Sequence, residues 1–249
     1  MEKQPERYPE RSNRKIRKIL HSAIRLFQQD GYYNVSIEEI VQATNSSTGS
    51  FYNYFGSKDE LIVSYRREVL EYCHDFYSRL QSNAAYADKY ALERLKIFTV
   101  YVLELLTSVG EEFGRVFTVY RLKETNAAPG DKPYYPLIVD LIEKGQEDMS
   151  IRDDYTVRDI AGIVDFFIMG CHIDWLINRG TYVITDRKAP DINILFDNIS
   201  SAAAKRKTGE TNYSEIWADA TSRTAQDFSS DIKRLEEQWL ERLYGAKPY

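Results

Sequence analysis

Between Ser36 and Glu60 the chain punctuates itself so tightly that few folds can hold it. Ser36-Ile37-Glu38-Glu39 has the Ser-x-x-Glu spacing of a capping box, in which serine and glutamate satisfy each other's backbone donors at a helix start. Ile37, Ile40 and Val41 supply a buried face, and the helix ends near Ala43. Thr44-Asn45-Ser46 is a polar turn of three residues, and the aromatic-rich run from Ser47 to Phe55 forms a second short helix. Ser57-Lys58-Asp59-Glu60 repeats the capping-box spacing and is expected to open a long helix through about Leu80. Upstream, Ile16, Ile19, Leu20, Ala23 and Phe27 recur at three- and four-residue intervals, and Gly31 stands where a helix would stop. A packing helix followed by two short helices across a tight turn is a helix-turn-helix unit.

The second short helix is unusual in composition. Thr48, Ser50 and Asn53 are small and polar, and Gly49 costs helix stability relative to alanine. Such a helix suits a surface that must come close to another one, as in a DNA major groove, where hydroxyls and amides meet base edges and phosphates. A solvated helical hairpin has the same composition, so this feature alone leaves both readings open. Charge adds a direction. The chain carries −5 overall, yet Arg11 to Lys58 holds seven cations against three anions, +4, and the rest of the chain is −9. A basic head on an acidic body favours a polyanion at one end.

The stretch from Val35 to Leu61, with Thr48-Gly49-Ser50-Phe51-Tyr52-Asn53-Tyr54-Phe55-Gly56-Ser57-Lys58-Asp59-Glu60-Leu61, resembles the DNA-binding head of TetR-family transcriptional regulators. The resemblance covers about the first sixty residues. It implies a homodimer whose third helices enter successive major grooves of a palindromic operator, and a divergent carboxy-terminal domain that binds a small-molecule effector and dimerises. Carried over residue by residue, Ser36 caps the second helix and donates to a phosphate. Ser47, Thr48, Gly49 and Ser50 stand at the base-reading helix. Tyr52 and Asn53 make phosphate or base contacts, and Lys58 meets a phosphate. Phe51, Tyr54 and Phe55 are expected to pack. Two positions differ from the usual pattern: Thr48 replaces a common lysine, and Thr44-Asn45-Ser46 replaces Ala-Gly-Val. Arg11 and Arg14, just ahead of the first helix, are expected in a solvated flexible tail, with an arm towards the minor groove as the alternative.

The remainder reads as all-α: helices over Tyr90–Ser108, Glu111–Lys123, Tyr135–Glu147, Thr156–Asn178 and Asp191–Ala204. Asn126 to Pro133 is the clearest loop. Tyr182-Val183-Ile184-Thr185 is β-like but isolated, and a lone strand cannot satisfy its own backbone. The expected division is a head over 1–58 with an arm over 1–11, a ligand-binding and dimerisation domain over 59–204, and a linker with an extra amphipathic helix over 205–249.

Phe76, Phe98, Tyr101, Phe113, Phe117, Tyr120, Phe167 and His172 are candidates to line an effector cavity, and Ile168 and Leu195 to lie on the dimer faces. Cys73-His74 and Cys171-His172 are poorly spaced for a metal, and cysteine is too sparse for a disulfide framework, so no metal and no cofactor are expected. No glycine-rich phosphate loop and no common catalytic motif occurs. No uncharged run approaches the roughly 20 residues that cross a bilayer, so a cytoplasmic regulator without membrane contact is expected, most simply a repressor and not an enzyme. The competing readings are an all-helical small-molecule carrier or enzyme with an incidental hairpin, and a DNA-binding regulator that answers to a protein partner.

Overall fold

The computed structural model describes residues 10–82, 86, 89–123 and 132–204, with side chains from Arg14 onward. The expected arm (residues 1–9 of it), most of the loop at 126–133 and the segment 205–249 lie outside them. Among the described residues there are nine α-helices and no strand: α1 Glu10–Asp30, α2 Ile37–Ala43, α3 Thr48–Tyr52, α4 Glu60–Ser82, α5 Ala91–Thr107, α6 Glu111–Lys123, α7 Tyr135–Glu147, α8 Val157–Ile177 and α9 Ile184–Ile199. Arg11 and Arg14 are therefore inside α1 and do not precede it. The first helix starts earlier than its apolar stripe because its opening turns are polar throughout and so carry no periodic signal.

The helices divide into two units, one running to Glu68 and including Val109–Lys123, the other taking Val69–Ser108 and Lys132–Ala204. Helix α4 contributes to both. Packing thus draws the edge of the head at Glu68, and the head also recruits α6, a distant segment that the sequence pattern assigned to the body.

In the first unit the α1 stripe behaves as its spacing requires: Ile19, Leu20, Ala23 and Phe27 are buried. The helix stops at Gly31, whose φ of 86° is the left-handed value that glycine adopts without strain. Its N–H reaches back to Phe27 O at 3.0 Å. Phe113 of α6 stacks on Phe27 at 5.5 Å and meets Tyr65 of α4 edge-on at 5.4 Å. Glu112, beside it, accepts the Tyr33 N–H at 3.1 Å. These contacts hold α6 against the head.

In the second unit α5 is buried on nearly all sides, which its run of Leu, Ile, Phe and Val permits. Helices α7, α8 and α9 pack around it. Helix α8 opens on a capping box of Thr156 and Asp159. It is long and apolar enough to cross a membrane, but half of it is buried against its neighbours, the place of a core helix.

The β-like Tyr182–Thr185 is in fact the entry to α9, which begins seven residues earlier than expected and contains Pro190. Ile184, Ile192, Phe196 and Ile199 form its buried stripe. That packing overrides the local preference of Val183-Ile184-Thr185 for extended backbone. It also offsets the hydrogen bond that proline cannot donate. The end of α9 is clamped by an isolated antiparallel bridge between Ile151 and Ser200.

Candidate nucleic-acid interface

The turn between α2 and α3 is built from side-chain caps. Ser36 Oγ accepts from Glu39 N at 3.2 Å, and the Glu39 carboxylate accepts from Ser36 N at 2.7 Å and from the Ser36 hydroxyl at 2.8 Å. Those bonds hold the Glu39 carboxyl below the usual carboxylate range. The Ser36 hydroxyl proton, expected to meet a phosphate, is thus engaged within the head. Thr44 is buried and its hydroxyl bonds back to Ile40 and Val41 carbonyls. Asn45 then takes a left-handed φ of 51°, a conformation asparagine tolerates better than most residues. Lys18 of α1 donates to Thr44 O at 2.9 Å and so braces the turn from behind.

Ser47 opens α3, its Oγ accepting from Ser50 N at 3.1 Å. A hydroxyl that accepts in this way keeps its own proton to give outward. The five residues of α3 have two distinct sides. Phe51 is fully buried and Phe55, just beyond the helix, nearly so, with ring centroids 5.3 Å apart. Thr48, Gly49, Tyr52 and Asn53 are exposed on the other side, where four-residue spacing aligns Thr48 with Tyr52 and Gly49 with Asn53. Ser50 and Tyr54 are half-buried at the edges. A Cβ built on Gly49 would meet nothing within 4 Å, so no internal contact demands a glycine there. The outer face offers hydroxyl, amide and phenol groups on a backbone that another surface can approach closely.

Lys58 departs from its expected role. Its ammonium donates to the carbonyls of Val35, at 2.7 Å, and Tyr32, and lies 4.2 Å from the centre of the Tyr32 ring. Burial pulls its pKa below the usual lysine value. Tyr32 in turn donates to Asp59 at 2.5 Å. Lys58 therefore locks the α1–α2 connection to the approach of α4 instead of pointing to solvent. The second capping box is not formed either. Residues 57–59 make a tight turn of i→i+3 bonds into α4, and the Glu60 carboxylate accepts the Gly56 N–H at 2.8 Å. Both are side-chain choices that spacing alone does not disclose. The exposed cations of α1 with described side chains include Arg14, Lys15 and Arg25.

The proposed cavity residues separate. Phe76 and Tyr101 stack at 3.9 Å, and Phe76 and Phe98 at 6.4 Å, in the second unit. His172 is buried there and Phe167 half-buried on α8. Phe113, Phe117 and Tyr120 belong to α6 and the first unit, where Phe113 and Phe117 both meet Tyr65 edge-on. Phe113 is 1% exposed and is a core residue of the head. Ile168 likewise is 0% exposed, whereas Ile163 and Phe166 on the same helix are 51% and 77% exposed.

Comparisons with known proteins agree with this geometry. Residues 19–65 match the family model described as "Bacterial regulatory proteins, tetR family". The HTH-type transcriptional regulator HbdR of Aromatoleum sp. (strain CIB) is 38% identical over 53 residues, 21% of this chain and 23% of that protein. The HTH-type transcriptional regulator LmrA of Bacillus subtilis (strain 168) is 39% identical over 56 residues, 22% and 30% of the two chains. These matches span less than a third of either relative and fall where the head does. A putative transcriptional regulator from Saccharomonospora viridis, solved with choline, superposes over 76% of this chain and 99% of its own with a TM-score of 0.56 at 23% identity. FadR from Bacillus subtilis, solved with stearoyl-CoA, covers 74% and 98% with a TM-score of 0.54 at 18% identity. At such identities the likeness is one of fold.

Proposed function

We propose, from the match of residues 19–65 to the family model of tetR bacterial regulatory proteins, that the chain is a homodimeric transcriptional repressor that binds a palindromic operator and is released by a small molecule. The observation that carries this reading is the two-sided α3: its inner side is fully buried, and its outer side presents Thr48, Tyr52 and Asn53 around an unobstructed Gly49. Ser47 adds a free hydroxyl proton at the helix start. The regulator works in the cytoplasm, where its DNA is.

Dimerisation through α8 and α9 is supported by what those helices leave uncovered. Ile163, Phe166 and Ile177 on α8 and Ile194 on α9 are more than half exposed. A Cβ at Gly162 or Gly170 would meet nothing. Apolar exposure of this kind on neighbouring helices is what an obligate interface buries.

The effector is read as neutral or weakly cationic, held by the body with Phe76, Phe98 and Tyr101 as its aromatic part. Solved proteins of this fold hold ligands as unlike as choline and stearoyl-CoA, so fold does not choose the ligand. Release works through α4. The distal part of α4 is tied to the body, since Tyr101 donates to Tyr72 O at 3.2 Å and Lys144 donates to the Tyr77 hydroxyl at 2.8 Å. A ligand that displaces this part moves the attached head and alters the spacing of the two α3 helices. The direct test is a gel shift of the purified protein on its own upstream intergenic DNA against random DNA of equal length. Specific binding with a steep salt dependence supports the reading, because each neutralised phosphate adds roughly 0.9 to the slope of log K on log salt. Equal affinity for both DNAs at physiological salt rejects it.

A further inference from the structure

The inward stripe of α8 is not wholly apolar. Ala161, Val164 and Ile168 fill it as a core helix requires, but Asp165 and His172 stand in the same stripe, 7% and 3% exposed. Buried polar groups are nearly always paired, because an unpaired one forfeits its hydration with nothing in return. Asp165 pairs through Oδ2 with the ammonium of Lys132, yet its Oδ1 has no hydrogen-bond partner. His172 Nε2 has none either. The neighbouring Trp175 cannot help: its N–H donates to Tyr182 O at 2.9 Å, while its ring stacks near His172 at 6.3 Å. Seven residues are nearly two turns, so Asp165 and His172 stand on one side of α8, about 10.5 Å apart along its axis. Burial pushes the His172 pKa down to about 4, so the ring is neutral at physiological pH and its Nε2 donates or accepts according to tautomer. Asp165 Oδ1 can only accept.

We propose that Asp165 and His172 are the polar anchors of the effector site on the inner side of α8, and that the effector is an organic molecule with an ammonium or hydroxyl donor rather than a carboxylate or phosphate. The proposal rests on reading the body as an effector domain. A donor completes Asp165 Oδ1 and restores what burial took away. An anion brought to the same place meets a buried carboxylate whose neutralisation by Lys132 is already shared, and like charges at low dielectric repel strongly. A second polar group about 10 Å from the donor then falls to His172.

The test uses the full chain and three probes with the same eight-carbon body: octylamine, 8-amino-1-octanol and octanoate. Thermal unfolding and operator binding are both read. Octylamine and 8-amino-1-octanol are expected to raise the melting temperature saturably by about 3 °C or more, the amino alcohol at the lower concentration, and octanoate is expected not to. D165N should weaken the amine response at least tenfold. H172F should raise the melting temperature of the ligand-free protein, because it removes an unpaired buried nitrogen, and should abolish the advantage of the amino alcohol over octylamine. The proposal is overturned if octanoate stabilises as well as octylamine, if neither amine stabilises, if the amine response survives in D165N, or if the amino alcohol keeps its advantage in H172F. Failure of the ligand-free protein to bind its upstream DNA specifically would sink the regulator reading instead, and leaves the comparison of amine with carboxylate to stand on its own.

Discussion

Lys58 shows how one side chain can answer to a neighbour that spacing does not reveal. A lysine at the mouth of α4 on a basic head has the look of a phosphate ligand, but its ammonium closes on the carbonyls of Tyr32 and Val35. Replacing it with methionine leaves two acceptors without their charged donor, at a cost of about 1–3 kcal/mol. K58M should therefore lower the melting temperature while the salt slope of DNA binding, measured on the folded protein, stays within error of wild type. A slope reduced by about 1.8, roughly 0.9 for the lysine of each subunit, would restore the phosphate role. Glu104, on α5, is the counterpart in the body. Burial lifts its pKa from 4.5 to about 7, against a hydrogen bond from Thr185 that lowers it. A carboxyl whose folded pKa is raised binds its proton more tightly in the folded state. Its contribution to stability is complete below the unfolded value near 4.5 and is lost as pH rises through about 7. Urea unfolding from pH 4 to 8 should show a loss on the order of 2–3 kcal/mol over that window. E104Q should flatten it, and an unchanged profile in E104Q would show that Glu104 titrates normally. His172 acts in the opposite sense, since its neutral form is favoured and its stabilisation is lost as pH falls towards 4, so the difference between wild type and E104Q is the quantity to read.

At the scale of elements, α3 and α8 are the two helices whose faces carry the functional reading. In α3 the glycine is open: nothing in the head requires Gly49, and alanine is the better helix former by about 1 kcal/mol. G49A should thus leave the melting temperature unchanged or raise it, while weakening operator binding at least tenfold by holding the backbone away from the groove. Binding equal to wild type would mean that α3 does not approach DNA at that point. Helix α8 separates its residues just as sharply. Ile168 is in the core, so a glutamate there would unfold the domain and say nothing of assembly. Phe166, 77% exposed, is the informative position. F166E should give a folded monomer by sedimentation with unchanged helix content and much reduced operator affinity. A dimer that persists in F166E would remove α8 from the interface.

Over the whole molecule, the proposed mechanism is a coupling of two equilibria. A ligand moves the DNA-binding equilibrium only by its differential affinity for the two states, so a hundredfold loss of operator affinity requires about 2.7 kcal/mol of coupling. By reciprocity the operator must weaken ligand binding by the same factor. Calorimetry of an identified effector, with and without operator, should show that hundredfold difference. Unchanged ligand affinity alongside release of DNA would rule out the coupled scheme. The route available for such coupling within one chain is α4, which runs unbroken from Glu60 to Ser82 and supplies residues to both units.

What was legible in the residues themselves is what local chemistry decides. The capping box at Ser36, the stripe of α1, the stop at Gly31, the three-residue turn and the burial of Phe51 and Phe55 all follow from interactions within four residues or from one helical period. The all-α class and most helix positions follow for the same reason. The tertiary structure alone settled the matters in which two distant segments compete for one group. It turned Lys58 inward, because carbonyls more than twenty residues away lay within reach. It moved Phe113 from a supposed cavity to the head, because Phe27 and Tyr65 leave a place that its ring fills. It made Tyr182–Thr185 the entry to a helix, because Ile184 is worth more buried on the α9 stripe than extended in a strand with no partner. Apolar periodicity marks which face of a helix is buried but not what covers it, and that covering is a property of the assembled fold.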